Sequence, residues 1–240
     1  MVSRKSTPKP IDAEIISAVK LCPGIKELRL RRADRKIFDY VPGQHVVLRD
    51  GTDSDGECYY SIASPPRKNG DFAICVKQDE SECSSMLFDR VAGDHLSVEG
   101  PLGEMVLDDE PRDLLLVATG TGIAAFHSML DLLRLRAAAS KVILLHGVRS
   151  HEELIYQPSW AKLNEKRQLF DYHTTVTKPD ETWNGAKGRV TRLVQDILPT
   201  VRLVNAHAYV CGVRQAVQDV VIQLQQLGYG PKEIFTDLKK

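Results

Sequence analysis

The chain lacks any apolar run near the roughly 20 residues that span a bilayer. Its opening segment MVSRKSTPKP holds no apolar core of the kind a secretory leader needs. A cytoplasmic protein without a membrane span is the expectation. Charge of one sign is also lacking, because 32 Lys and Arg balance 32 Asp and Glu. Nucleic acid and anionic membranes therefore have no broad field to bind. Cysteine is sparse and scattered, at Cys22, Cys58, Cys75, Cys83 and Cys211, with no CxxC or CxxxxC pair. Zinc and iron–sulfur centres lose their usual ligand spacing, so no metal site is expected, and reduced thiols fit a cytosolic chain. Internal repeats, low-complexity segments and a full GxGxxG fingerprint are missing too.

What is present is the mixture of a globular protein, 42% hydrophobic and 27% charged, and 240 residues allow two modest domains. Residues 1–109 hold short apolar runs such as DAEIISAVKL, IKELRLRRA, HVVLRDG, YYSIASPP, DFAICVKQ and DHLSVEG. Pro42-Gly43, Pro65-Pro66 and Asn69-Gly70 punctuate them with residues that fix φ or tolerate positive φ. Short antiparallel strands so separated predict a small β-barrel or sandwich. One short helix is expected within CSSMLFDRVA, where Ser84 or Ser85 either caps the helix or meets a phosphate.

From residue 110 to 240 the pattern changes. Continuous apolar runs, DLLLVATG and KVILLHGV, alternate with the helical stretches IAAFHSMLDLLRLRAAA, HEELIYQPSWAKLNEKR, GRVTRLVQDIL and RQAVQDVVIQLQQLG. Strands buried on both faces alternating with amphipathic helices predict a doubly wound parallel α/β sheet. Gly120-Thr121-Gly122 lies between a strand and a helix, at the carboxyl edge where such sheets bind nucleotides. Two glycines admit a phosphate close to the backbone, although glycine is also the ordinary way to turn from strand to helix. The next strand ends in Gly147-Val148-Arg149, a glycine and a cation at the same edge. On a strand through Tyr59-Tyr60-Ser61-Ile62, alternation sends Tyr60 and Ser61 to opposite faces. Tyr60 either stacks on a ring system or fills the barrel core.

These segments, with Pro42-Gly43-Gln44, Gly100-Pro101-Leu102-Gly103, Gly188-Arg189-Val190, Cys211-Gly212 and Ile234-Phe235-Thr236-Asp237, follow one another in an order that resembles the ferredoxin–NADP reductase superfamily. The resemblance spans nearly the whole chain. It implies a flavin-binding barrel followed by a nicotinamide-nucleotide domain, and an NAD(P)H-dependent flavoprotein reductase. FAD is the implied flavin, with FMN as the alternative. In the family's Arg-x-Tyr-Ser strand, tyrosine packs on the flavin and serine lies near its N5. Tyr60 and Ser61 match, flanked by Tyr59 and Ile62, while Cys58 replaces the arginine that pairs with the FAD pyrophosphate. A thiol supplies no bidentate charged contact. Arg67 or Lys68, or the backbone of Cys83-Ser84-Ser85, are the implied substitutes.

The resemblance also places Cys211, followed by Gly212, beside the nicotinamide–flavin contact, and Asp237 in the position of the family's terminal acid. Arg149 and Lys178 are the candidate cations for a 2′-phosphate, with Arg189 nearby in the family pattern, which favours NADPH over NADH. A one-electron carrier such as ferredoxin or flavodoxin is the implied acceptor. Two alternatives stand beside it: the reductase component of an oxygenase or other partner subunit system, and a flavin- or nucleotide-binding regulatory subunit without catalysis, which Cys58 favours.

Overall fold

A computed structural model describes residues 9–49, 57–136, 140–165 and 169–238. The chain forms two compact units that meet between Val106 and Leu107.

The first unit contains strands β1 (Ile11–Cys22), β2 (Ile25–Arg32), β3 (His45–Arg49), β4 (Cys58–Ser61), β5 (Phe72–Lys77) and β6 (His95–Leu102), with helix α1 (Glu82–Leu87) between the last two. They form one antiparallel sheet in the order β4-β3-β6-β1-β2-β5. A bridge between Ile62 and Ile74 joins the two outer strands, and the Ala63 N–H donates to the Ala73 carbonyl at 2.7 Å. The sheet thus closes as a barrel and removes its open edges. Ile15, Leu28, Leu30, Leu48, Phe72 and Ile74 fill it and are fully buried. Truncating one such side chain to alanine costs about 2–5 kcal/mol.

Helix α1 starts earlier than the serine pair suggests. Its cap is Ser81, whose Oγ accepts from the Ser84 N–H at 3.1 Å, so neither Ser84 nor Ser85 caps it. The reason lies upstream, where Asp79 Oδ1 accepts from the Ser81 N–H at 2.9 Å and folds the chain into the helix one turn sooner.

The second unit runs β7 (Leu114–Thr119), α2 (Ile123–Ser128), α3 (Leu130–Arg136), β8 (Val142–Val148), α4 (Gln157–Glu165), β9 (Phe170–Val176), β10 (Ala186–Lys187), α5 (Val190–Ile197), β11 (His207–Cys211), α6 (Arg214–Gln226) and β12 (Ile234–Thr236). The sheet is parallel, in the order β10-β9-β8-β7-β11-β12. Leu115, Val117, Ile143 and Leu145 pack against Val190, Leu193, Val217 and Leu224 of α5 and α6. On the opposite side, Trp160 of α4 meets Phe170 and Tyr172, with ring centroids 6.5 and 6.2 Å away. Helices on both faces make the sheet doubly wound, as its continuous apolar runs predict. The helix expected from His151 is instead a short 3₁₀ turn, His151–Glu153, before α4. Pro158 cannot donate within a continuous helix and fits only in the first turn of a new one. Asp113 ties the opposite, amino edge together, accepting from the Lys141 N–H at 2.8 Å and the Val204 N–H at 2.7 Å.

Candidate functional site

In the second unit β7 is central, so its carboxyl tip lies between those of β8 and β11. Thr119 ends the strand, and Gly120–Gly122 turn once into α2. A Cβ on Gly122 would lie 2.4 Å from the Cys211 carbonyl oxygen, and one on Gly212 would lie 2.2 Å from Thr119 Oγ1. Only glycine permits that approach, and Gly212 also takes φ +136°. The Val213 N–H then donates to Thr119 Oγ1 at 2.9 Å. Thr119, Gly122, Cys211 and Gly212 therefore form one interlocked edge, with Gly120 and Thr121 in the turn beside it. Backbone brought to the surface at a strand-to-helix turn is what a dinucleotide phosphate requires.

Beside it, Cys211 Sγ donates to Asp237 Oδ2 at 3.0 Å. Burial raises the Asp237 carboxyl above its usual range, against the lowering effect of the Cys211 hydrogen bond. The pairing brings together Cys211 and the terminal acid Asp237. Thr119 belongs to the same edge, although nothing in its sequence position distinguishes it from other strand-end threonines.

Arg149, Lys178 and Arg189 are exposed, and the backbone gathers them at the same carboxyl edge. The Lys178 N–H donates to the Arg149 carbonyl at 2.8 Å, and the Gly188 N–H donates to the Val176 carbonyl at 2.9 Å. Arg189 occupies the N-cap position of α5.

In the first unit β4 sends Cys58 and Tyr60 toward the barrel core, and Tyr59 and Ser61 to the other face. Tyr60 is half-buried against the core, and burial pushes its hydroxyl up to about 12. Tyr59 donates a hydrogen bond to Glu57. His45 stands directly opposite Ser61 in the β3–β4 register, and its ring centroid lies 5.7 Å from that of Tyr59. Ile62 is fully buried at the barrel closure.

The expectation of reduced thiols throughout is overturned, because Cys58 and Cys83 form a disulfide. Folding brings the start of β4 and the first turn of α1 together, with the two Cα atoms 5.4 Å apart, although the cysteines are 25 residues apart in sequence. Cys22, Cys75 and Cys211 are outside any disulfide. Ser84 and Ser85 are also committed within the helix: their N–H groups donate to Ser81, and Ser84 Oγ accepts from the Asp79 N–H at 2.9 Å. Ser85 is exposed, and its Oγ retains lone pairs after donating to the Ser81 carbonyl at 3.2 Å.

Comparison with known proteins bears on both units. Residues 12–107 match the oxidoreductase FAD-binding domain, and residues 116–221 match the oxidoreductase NAD-binding domain. The chain belongs to the ferredoxin–NADP reductase superfamily. It is an oxidoreductase of the NAD(P)H-linked flavoprotein kind. Ferredoxin–NADP reductase B of Sorangium cellulosum (strain So ce56) is 29% identical over 216 residues, 87% of this chain and 88% of that protein. The anthranilate 1,2-dioxygenase electron transfer component of Acinetobacter baylyi is 31% identical over 155 residues, 64% of this chain but only 45% of its own length. Among solved structures, the CS-b5R domains of human Ncb5or superpose with a TM-score of 0.84 at 21% identity, covering 98% of this chain and 71% of that one. No helix among the described residues of this reductase is long and apolar enough to cross a membrane, and no cluster there could hold a metal ion.

Proposed function

We propose that this reductase takes hydride from NADPH onto FAD and passes the electrons to a one-electron protein carrier of the ferredoxin or flavodoxin kind. The observation that carries the nucleotide half is the interlocked edge of Thr119 and Gly122 with Cys211–Gly212, where side chains are excluded at both glycines and backbone is presented. The pyrophosphate would lie on that edge. Arg149, Lys178 and Arg189 would meet the 2′-phosphate, a dianion for which exposed, backbone-gathered cations are suited.

In the flavin half, Tyr59, Tyr60 and Ser61 would line the ring, with Ile62 anchoring the strand behind them in the barrel core, and the first turn of α1, Cys83 to Ser85, would border the pyrophosphate. The disulfide supplies covalent order there and no positive charge, so FAD phosphates would rely on backbone and on Ser85. A bound flavin accepts two electrons as hydride and releases them singly. Beside that edge, Cys211 and Asp237, joined by a hydrogen bond, would border the nicotinamide ring, and burial shifts the Asp237 carboxyl toward its protonated form.

The Acinetobacter relative is an electron transfer component of a dioxygenase, so an oxygenase partner is the second reading of the acceptor. The purified protein should be yellow with FAD bound, and should bleach anaerobically with NADPH faster than with NADH. A colourless protein that cannot be loaded with FAD would sink the proposal.

A further inference from the structure

His146 is a fully buried histidine in the middle of the apolar run VILLHGV. Its Nε2 lies 3.0 Å from the Gly120 carbonyl oxygen, and its Nδ1 lies 3.2 Å from the Tyr172 hydroxyl. A carbonyl oxygen can only accept, so Nε2 carries the proton and donates to Gly120. Nδ1 is then the acceptor for the Tyr172 hydroxyl, and both ring nitrogens of a neutral imidazole are satisfied. Burial favours that neutral form, pulling the pKa down to about 4.

The consequence lies in the next peptide. In a trans peptide the C=O and the following N–H point in opposite directions. Anchoring the Gly120 carbonyl inward against His146 therefore turns the Thr121 N–H away from His146. Gly120 holds φ +53°, a conformation that glycine visits freely and that opens the 3₁₀ turn Gly120–Gly122. On the other side of the loop, Gly122 and Thr119 are locked against residues 211–213. His146 adds a side-chain restraint on the Gly120 carbonyl, from β8.

We propose that His146 is a positioning residue for the nicotinamide nucleotide: it fixes the Gly120–Thr121 peptide so that the Thr121 N–H is presented to the pyrophosphate. This rests on the nucleotide-binding reading of the glycine loop. Because the pyrophosphate is common to NAD+ and NADP+, the contribution is the same for both, unlike that of the 2′-phosphate cations.

The test compares His146→Gln, whose amide can still donate, with His146→Met, of similar length but without a donor. Calorimetric titration of the flavin-loaded protein should show the Met variant binding NADP+ and NAD+ about tenfold more weakly, with the Gln variant close to the parent. Steady-state kinetics should place the loss in KM rather than kcat. Equal affinities for the Gln and Met variants would overturn the proposal, as would a folded Met variant that binds like the parent. Should the Met variant not fold, amide exchange of the unaltered protein decides: saturating NADP+ should slow exchange at Thr121, and an unchanged rate overturns the inference. If the unaltered protein binds neither nucleotide, the underlying functional reading falls, a result distinct from normal binding with no dependence on position 146.

Discussion

Reducing the Cys58–Cys83 disulfide tests what this bond contributes to the first unit. The bond closes a loop with a sequence separation of 25 residues. Chain-entropy arguments give such a loop about 3.5 kcal/mol of stabilisation, through restriction of the unfolded chain. Spread over the whole chain, that corresponds to a melting-point change of about 10 °C, and to about 15 °C if the first unit unfolds alone. The assay is thermal unfolding with and without a phosphine reductant, beside a Cys58→Ala/Cys83→Ala variant. The parent should lose about 10–15 °C on reduction, the double variant should melt low in both conditions, and Cys22→Ser should behave as the parent. Because the bond ties β4 to α1, both parts of the proposed flavin site, reduction should also speed release of FAD. Alkylation of the denatured, unreduced protein should modify three of the five cysteines. Modification of all five, or a reductant-induced change below about 2 °C, would refute the reasoning.

Three further outcomes follow from the second unit. Gly122→Ala places a methyl 2.4 Å from the Cys211 carbonyl oxygen, so the loop must shift; nucleotide affinity measured by titration should fall by about a hundredfold or more, while FAD content stays intact. Lys178→Ala removes an exposed cation next to Arg149 and should weaken NADPH about tenfold in KM with little change for NADH; an equal loss for both would remove its assignment to the 2′-phosphate. Burial pulls the His146 pKa in the folded protein down to about 4 from the free imidazole value of about 6.5, with Tyr172 and the Gly120 carbonyl against its ring and Glu153 acting from further away. The unfolded state therefore binds the proton more readily, so this group's stability is present above pH 6.5 and is lost as pH falls toward 4, by about 3 kcal/mol in all. Urea unfolding of the parent against His146→Gln should show that part of the acid sensitivity vanish in the variant.

How far these features could be read in advance depended on where each residue's partner lies. The strand through Leu114–Thr119 is legible because both of its faces are buried, which leaves an unbroken apolar run, and the glycines after it mark the turn into α2. The barrel is legible through its turn residues, but its closure between Ile62 and Ile74 is not, since a bridge between two strands has no local signature. Cys58 shows the same limit. Read along the strand it is a lost cation; across the fold it is half of a bond to Cys83. His146 reads as a polar interruption of a hydrophobic run, and becomes intelligible only when Gly120 from the preceding loop and Tyr172 from the following strand converge on its two nitrogens. In both cases the residue out of keeping with its own element is the one bonded to another. A polar or cysteine residue that breaks an otherwise consistent apolar pattern is thus itself a signal, because burying it without a partner would cost several kcal/mol and the fold must supply one.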